Sequence, residues 1–206
     1  MLHLLQKPLE TAQPTRRTFL KISAGAAGGV ILALNLPRSA TAAAGGEFAQ
    51  PFVHIRPDNT VTVIIKHLDK GQGAATGLAT LVADELDASR EQIVTEFAPS
   101  NPEVYKNLFF GVQGTGGSTA IANSFMQYRQ AGAAAKAMII AAAASEWEVP
   151  AAEIAVSQGV VSHGSGKSAT LGDLANLAAA QDVPEEPVLK SPDQWVYIGK
   201  SFPRVD

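Results

Sequence analysis

Cysteine is missing from all 206 residues. Disulfides therefore contribute nothing, and no thiolate is available to hold an iron–sulfur cluster or zinc or to act as a covalent nucleophile. An excess of positive charge is also missing: 16 Lys and Arg stand against 19 Asp and Glu. With no basic stripe to neutralise phosphates, nucleic acid is not an expected partner. The most apolar stretch, residues 22–36, is short and diluted by Gly25, Gly28 and Gly29, which leaves it below the ~20 apolar residues that a bilayer crossing needs. His54, His67 and His163 share no ligand spacing, so they are expected at strand edges or on the surface, and no residue is assigned to a metal. No G-x-S-x-G elbow occurs, and Asp84-Glu85 reads as a solvated helix face and not as an acid/base pair.

What the chain does have begins at its N-terminus. Arg16-Arg17 is followed by Thr18-Phe19-Leu20-Lys21, then by the weakly apolar run and by small residues, the three ordered parts of a twin-arginine export signal. Ala40-Thr41-Ala42 fits the peptidase pattern, as does Ala42-Ala43-Ala44, so residues 1–42 are expected to be a signal peptide and the protein to be periplasmic or exported. Their loss removes five basic residues and one acid, leaving 11 basic against 18 acidic and a net charge of −7. The remaining ~160 residues suffice for one domain with a real core.

A linker is expected over residues 43–51, where Gly45-Gly46 and Pro51 fall. Phe52–Ile55 and Val61–Ile65 then read as a β-hairpin around Pro57-Asp58-Asn59. Leu78, Leu81, Val82 and Leu86 recur at helical spacing over residues 75–86, and residues 93–97 return to strand. A polar connection over residues 99–107 leads to a glycine-rich loop at 111–119. A long Ala-rich helix is expected from about residue 121 to 147, stopped by Pro150. A short hairpin around Gln158-Gly159 and a helix over residues 171–180 follow. Residues 184–206 read as irregular. The expected class is α+β: one mixed α/β domain over residues 52–183, with hairpin, helix, strand, long helix, short hairpin and helix in that order.

Two glycine-rich loops lead towards helices, where bare backbone N–H groups and the helix dipole attract anions. Gly71-Gln72-Gly73, with the next glycine at Gly77, misses the dinucleotide fingerprint by one residue and follows a hairpin, not a βαβ start. On spacing alone it reads first as a tight turn. Gly114-Thr115-Gly116-Gly117-Ser118-Thr119 adds hydroxyl side chains, although a purely structural glycine loop fits it equally well. Gly164-Ser165-Gly166-Lys167-Ser168 imitates the end of a P-loop, but Val161 stands where the first glycine is required, so a surface turn is expected.

Taken together and in order, these motifs resemble the large, molybdopterin-binding subunits of the xanthine dehydrogenase and aldehyde oxidase family, within it the exported branch similar to the isoquinoline 1-oxidoreductase β subunit. The residues that carry the resemblance are Asp69-Lys70-Gly71-Gln72-Gly73 with Thr76-Gly77-Leu78, Ala83-Asp84-Glu85-Leu86, Gln113-Gly114-Thr115-Gly116-Gly117-Ser118-Thr119, and Tyr128-Arg129-Gln130-Ala131-Gly132-Ala133-Ala134. The resemblance implies that Gly71, Gln72, Gly73, Gly116, Gly117, Ser118 and Thr119 bind a molybdenum-pterin cofactor, molybdopterin in its dinucleotide form. Residues 52–183 would be part of a larger molybdopterin-binding architecture. It further implies a small iron–sulfur subunit and an electron acceptor as partners, beside the twin-arginine export machinery. The activity implied for the whole protein is hydroxylation of N-heterocycles or oxidation of aldehydes, with oxygen drawn from water. Members of the family are several times longer and carry the glutamate general base in a late segment, so no residue here inherits a catalytic role. The chain is thus expected to be the N-terminal portion of such a subunit, with a non-enzymatic exported binding module or an inactive remnant as the alternative.

Overall fold

The structure, a computed structural model, describes residues 48–205; the expected export signal and the start of the linker lie outside them. The predicted hairpin pairs β2 (Val53–Ile55) with β3 (Val61–Ile65) antiparallel, Val53 opposite Val63. Asn59 closes its turn at φ 70° while the Asp58 carboxylate accepts the Thr60 N–H at 2.9 Å. Inside the stretch read as a linker, Phe48–Gln50 form β1 against β2, with Phe48 wholly buried.

Helix α1 (Ala74–Leu86) leads to β4 (Ile93–Phe97), which lies parallel to β3 in the sheet order β1-β2-β3-β4. The Gly71 loop therefore is the strand-to-helix turn of a βαβ unit, contrary to the expectation drawn from the preceding hairpin. In open α/β sheets ligands bind beyond the carboxyl ends of parallel strands, and this turn stands at that end. All five residues of β3 are buried. A short helix, α2 (Pro102–Tyr105), interrupts the polar connection, and the Tyr105 hydroxyl ties it back to the Pro51 carbonyl at 2.9 Å.

The Ala-rich helix α3 runs from Phe125 to Trp147. It starts four residues later than expected, because residues 121–124 form a turn. α3 lies so close to α1 that a Cβ on Gly132 would stand 2.9 Å from the Val82 carbonyl oxygen and 3.0 Å from the Glu85 Cβ. The close approach buries Asp84 and Glu85 instead of solvating them, a correction to the sequence expectation. Glu85 takes Arg129 Nε at 2.7 Å and the Lys190 N–H at 3.0 Å. Asp84 accepts three successive backbone N–H groups, from Val196, Tyr197 and Ile198, at 3.2, 2.8 and 2.8 Å, together with the Lys190 ammonium at 3.1 Å. Burial raises the Asp84 pKa, but these donors outweigh it and hold the carboxyl below its ordinary value. The segment read as irregular is thereby tied to α1, and its Trp195 ring stacks on the Arg129 guanidinium.

A three-stranded antiparallel meander follows, β5 (Ile154–Ser157), β6 (Val160–His163) and β7 (Ser168–Thr170). The P-loop look-alike forms its second turn, as the missing glycine led us to expect. Helix α4 (Leu171–Ala179) is capped reciprocally by Thr170 and Asp173 and packs on α3. The mixed α/β body thus carries the expected elements in the expected order.

Gly132→Ala separates two opposed effects. Helix propensity alone favours Ala by about 1 kcal/mol, whereas overpacking against a backbone carbonyl costs about 1–3 kcal/mol. The contact with Val82 decides the sign: urea denaturation of the variant is expected to show a lower midpoint than the parent.

Candidate functional site

β3 ends at Ile65, and the two residues that follow it, Lys66 and His67, are both buried, at 4% and 0% exposure. The expectation of a strand-edge or surface position was incorrect for His67, which is buried beyond the end of β3 against the second loop and the turn before α3. Tyr128 of α3 bridges this strand end, its hydroxyl accepting the Lys66 N–H at 3.0 Å and donating to the Ile64 carbonyl at 2.7 Å. Burial raises the Tyr128 pKa, so the phenol stays protonated and able to make both bonds. Lys66 Nζ donates to Gln127 Oε1 at 2.6 Å and to the Lys106 carbonyl at 3.2 Å. Both acceptors are neutral, and burial pushes the ammonium pKa down to about 8.

Two bonds tie the second loop to the residues between β3 and the first loop. The Leu68 N–H donates to Thr115 Oγ1 at 2.8 Å, and the same hydroxyl lies 3.4 Å from His67 Nδ1. The loops differ in what they have left to offer. In the first, Asp69 Oδ1 takes the N–H groups of Gly71 and Gly73 at 2.9 and 3.2 Å, and Oδ2 takes that of Ala75 at 2.8 Å. The loop's own carboxylate thus occupies the anion-attracting end of α1. Gln72 folds back, accepting the Lys70 N–H at 2.6 Å and donating to the Leu68 carbonyl at 2.9 Å. Gly71 and Gly73, at φ 97° and 81°, have nothing within 4 Å of a Cβ position, so the backbone faces open space.

In the second loop the Thr119 hydroxyl accepts Asn107 Nδ2 and donates to the Gly116 carbonyl, each at 2.8 Å, so it braces the loop from within. The N–H groups of Gly116, Gly117 and Ser118 and the Ser118 hydroxyl have no partner among the described residues, and all three residues are exposed. Gly117 and Ser118 both hold left-handed backbone, φ 58° and 54°. That geometry is strained for serine and is a kind of strain that tends to gather at ligand-binding segments. The loop does not open α3 directly, since residues 120–124 intervene.

A phosphate-bearing cofactor fits this arrangement unequally. Gly116, Gly117 and Ser118 present donors, Gly71 and Gly73 present room for close approach, and the side chains of Gln72 and Thr119 are already satisfied. Sequence reasoning missed the polar cluster beneath, comprising Lys66, His67, Asn107, Thr115, Asn123 and Ser124. Its one visible signal was an ionisable pair directly after an apolar run, with no Gly, Pro, Asn or Asp between.

Lys66 gives the cluster a measurable signature. Its pKa is lower folded than unfolded, so between about pH 8 and its ordinary 10.5 the unfolded chain binds more protons and stability rises with pH, by an amount on the order of 1–3 kcal/mol. Below that window both states carry the proton and the penalty of the buried charge is constant. Urea midpoints measured across the window are expected to rise more steeply in the parent than in Lys66→Met, which has no such group to titrate.

Comparison with known proteins shows the family. Residues 10–201 match the family described as the molybdopterin cofactor-binding domain. The isoquinoline 1-oxidoreductase β subunit of Brevundimonas diminuta is 34% identical over 184 residues, 85% of this chain and 23% of that one. The membrane-bound pyrroloquinoline-quinone aldehyde dehydrogenase of Gluconacetobacter polyoxogenes is 30% identical over 174 residues, 80% of this chain and 21% of that one. The solved structure of quinoline 2-oxidoreductase from Pseudomonas putida 86 aligns over 60% of this chain and 15% of that one, with a TM-score of 0.47 and 23% identity. The chain spans about a quarter or less of the length of these relatives. On the strength of a match that runs through both loops and nearly the whole described body, the chain belongs to the molybdopterin cofactor-binding domain family.

Proposed function

We propose that this chain supplies one wall of a molybdenum-pterin site in a larger oxidoreductase subunit, with the second loop holding the cofactor's phosphates. The observation that carries this reading is the unpartnered, exposed row of donors at Gly116, Gly117 and Ser118, fastened through Thr115 to the end of β3 beside the first loop. A bound molybdenum-pterin supplies two-electron redox chemistry at the metal. The chain's own part is to hold and orient: the Gly116–Ser118 N–H groups and the Ser118 hydroxyl donate to phosphate oxygens, while Gly71 and Gly73 let the ring system approach the backbone.

In this reading the substrate is an N-heterocycle or an aldehyde, oxygen comes from water, and electrons leave through an iron–sulfur partner. The cofactor is the dinucleotide form. A segment beyond this chain supplies the general base, since Asp69, the carboxylate at the loops, is engaged on the N-terminal turn of α1. Export by the twin-arginine route belongs to the same proposal, because a pterin inserted in the cytoplasm has to cross within a folded protein.

Molybdenum content tests the reading in two arms. The purified 206-residue chain is expected to carry far less than one molybdenum per chain, because one wall does not close a site. Residues 52–201, set in place of the aligned segment of the Brevundimonas diminuta β subunit, are expected to restore stoichiometric metal. Gly117→Val in that chimera, which puts a branched side chain at φ 58°, is expected to lower the metal content at least tenfold. Stoichiometric metal in the isolated chain would contradict the one-wall reading, and a metal-free chimera would contradict cofactor binding by these loops.

A further inference from the structure

His67 lies wholly buried where β3, the second loop and the start of α3 meet, and its hydrogen bonds leave one arrangement of protons. Asn123 fixes the first half of that arrangement. Its amide nitrogen lies 2.5 Å from the Thr119 carbonyl, and its amide oxygen accepts the Leu108 N–H at 3.3 Å, so nitrogen and oxygen cannot be exchanged without losing both bonds. That same nitrogen faces His67 Nε2 at 3.2 Å, and the Ser124 hydroxyl stands 3.1 Å from it. An amide N–H only donates. Nε2 therefore accepts, and the single ring proton sits on Nδ1, 3.4 Å from the Thr115 hydroxyl.

The ring so placed is one bond from what shapes the candidate anion site. His67 orients Asn123, Asn123 holds the Thr119 carbonyl, and the Thr119 hydroxyl holds the Gly116 carbonyl. On its other side the ring reaches Gly114 and Thr115, the residues that enter the loop. We propose that His67 is the positioning residue of the second loop: as the neutral Nδ1–H tautomer it sets the Gly116–Ser118 donors in place, and a second proton on Nε2 releases them. With Nε2 protonated, two N–H groups would meet head-on. The Ser124 hydroxyl, 3.1 Å away, can accept the new proton, but the Asn123 N–H loses its acceptor, and if the amide turns away it surrenders both the Thr119 carbonyl and the Leu108 N–H.

The surroundings keep the ring neutral near pH 7. Burial, followed by the adjacent Lys66 ammonium, depresses its pKa below the ordinary 6.5, with the Gly114 carbonyl pulling the other way; the Asn123 N–H, which donates to Nε2, cannot favour a second proton there. The groups facing the ring from α3 and its preceding turn (Asn123, Ser124) and from the loop (Gly114, Thr115) are uncharged. Asp69, two residues further along, directs its carboxylate at Gly71, Gly73 and Ala75. Release accordingly belongs to the acid side of 6.5, where the unfolded chain binds a proton that the folded ring resists and stability falls as pH falls. That the released loop would carry a cofactor rests on the function proposed above; the coupling between ring and loop does not.

Nitrogen-15 NMR of the full chain, with no cofactor present, tests the coupling on its own terms. At about pH 7.5 the His67 ring is expected to show a proton on Nδ1 and none on Nε2. On acidification the amides of Leu108, Gly116, Gly117 and Thr119 are expected to shift together with the ring, with one midpoint below 6.5. In His67→Gln, whose side-chain oxygen accepts from Asn123 and Ser124 without titrating, the same amides are expected to keep their neutral-pH positions and lose that titration. An Nε2–H tautomer, a ring that titrates while the loop amides stay still, or a loop titration unchanged in the Gln variant would each overturn the proposal. Should the variant not fold, the tautomer and the co-titration in the parent chain decide the matter alone. A metal-free result in the molybdenum assay would leave all these outcomes standing, so failure of the proposed function and failure of this coupling are read separately.

Discussion

The carboxyl end of β3 is where the polypeptide carries polar groups into a place water does not reach. Ile64 has a carbonyl there, Lys66 an N–H and an ammonium, and His67 a ring, all inside the body. Leaving any one of them unpaired would cost about 1–3 kcal/mol, and more for the charge. α3 and the turn before it meet most of that demand: Tyr128 takes the backbone pair, Gln127 the ammonium, and Ser124 with Asn123 the ring. Because α3 is bound to the strand in this way, the turn before it and the second loop are set relative to the first. The site thus derives from satisfying one buried strand end.

That origin explains why the two loops are unlike. The first is finished by its own residues: Asp69 neutralises the start of α1, and Gln72 closes the turn. It needs no ligand to be stable, and it offers open space above its glycines. The second is braced from below by Asn107, Thr119 and Asn123 while its outer donors remain unused. One loop is a wall and the other a hand. A pair of glycine runs that look alike as letters divides the work once the hydrogen bonds are assigned.

Much of this body is legible in the letters, for reasons that are local. Val61–Ile65 and Ile93–Phe97 are β-branched or apolar runs with turn residues beside them, and Leu78, Leu81, Val82 and Leu86 keep a helical period, so strand and helix follow from propensity and spacing. What escaped was set by partners far along the chain. Asp84 and Glu85 read as solvated because their cation and N–H donors come from Arg129, Lys190 and residues 196–198, which lie 44 to 114 positions away. His67 read as surface because a lone histidine carries no mark of burial until Asn123 and Ser124 are placed against it. The same distance effect hid the parallel pairing of β3 with β4, which alone turns a tight turn after a hairpin into the crossover of a βαβ unit.

The central claim is that the second loop, and not the first, is the anion-receiving half of the site. Titration of the full chain with inorganic phosphate, followed amide by amide in NMR spectra at neutral pH, addresses it directly. The account predicts that Gly116, Gly117 and Ser118 shift with added phosphate while Gly71, Gly73 and Ala75, held by Asp69, stay in place. Shifts confined to the first loop, or none in either, would contradict it.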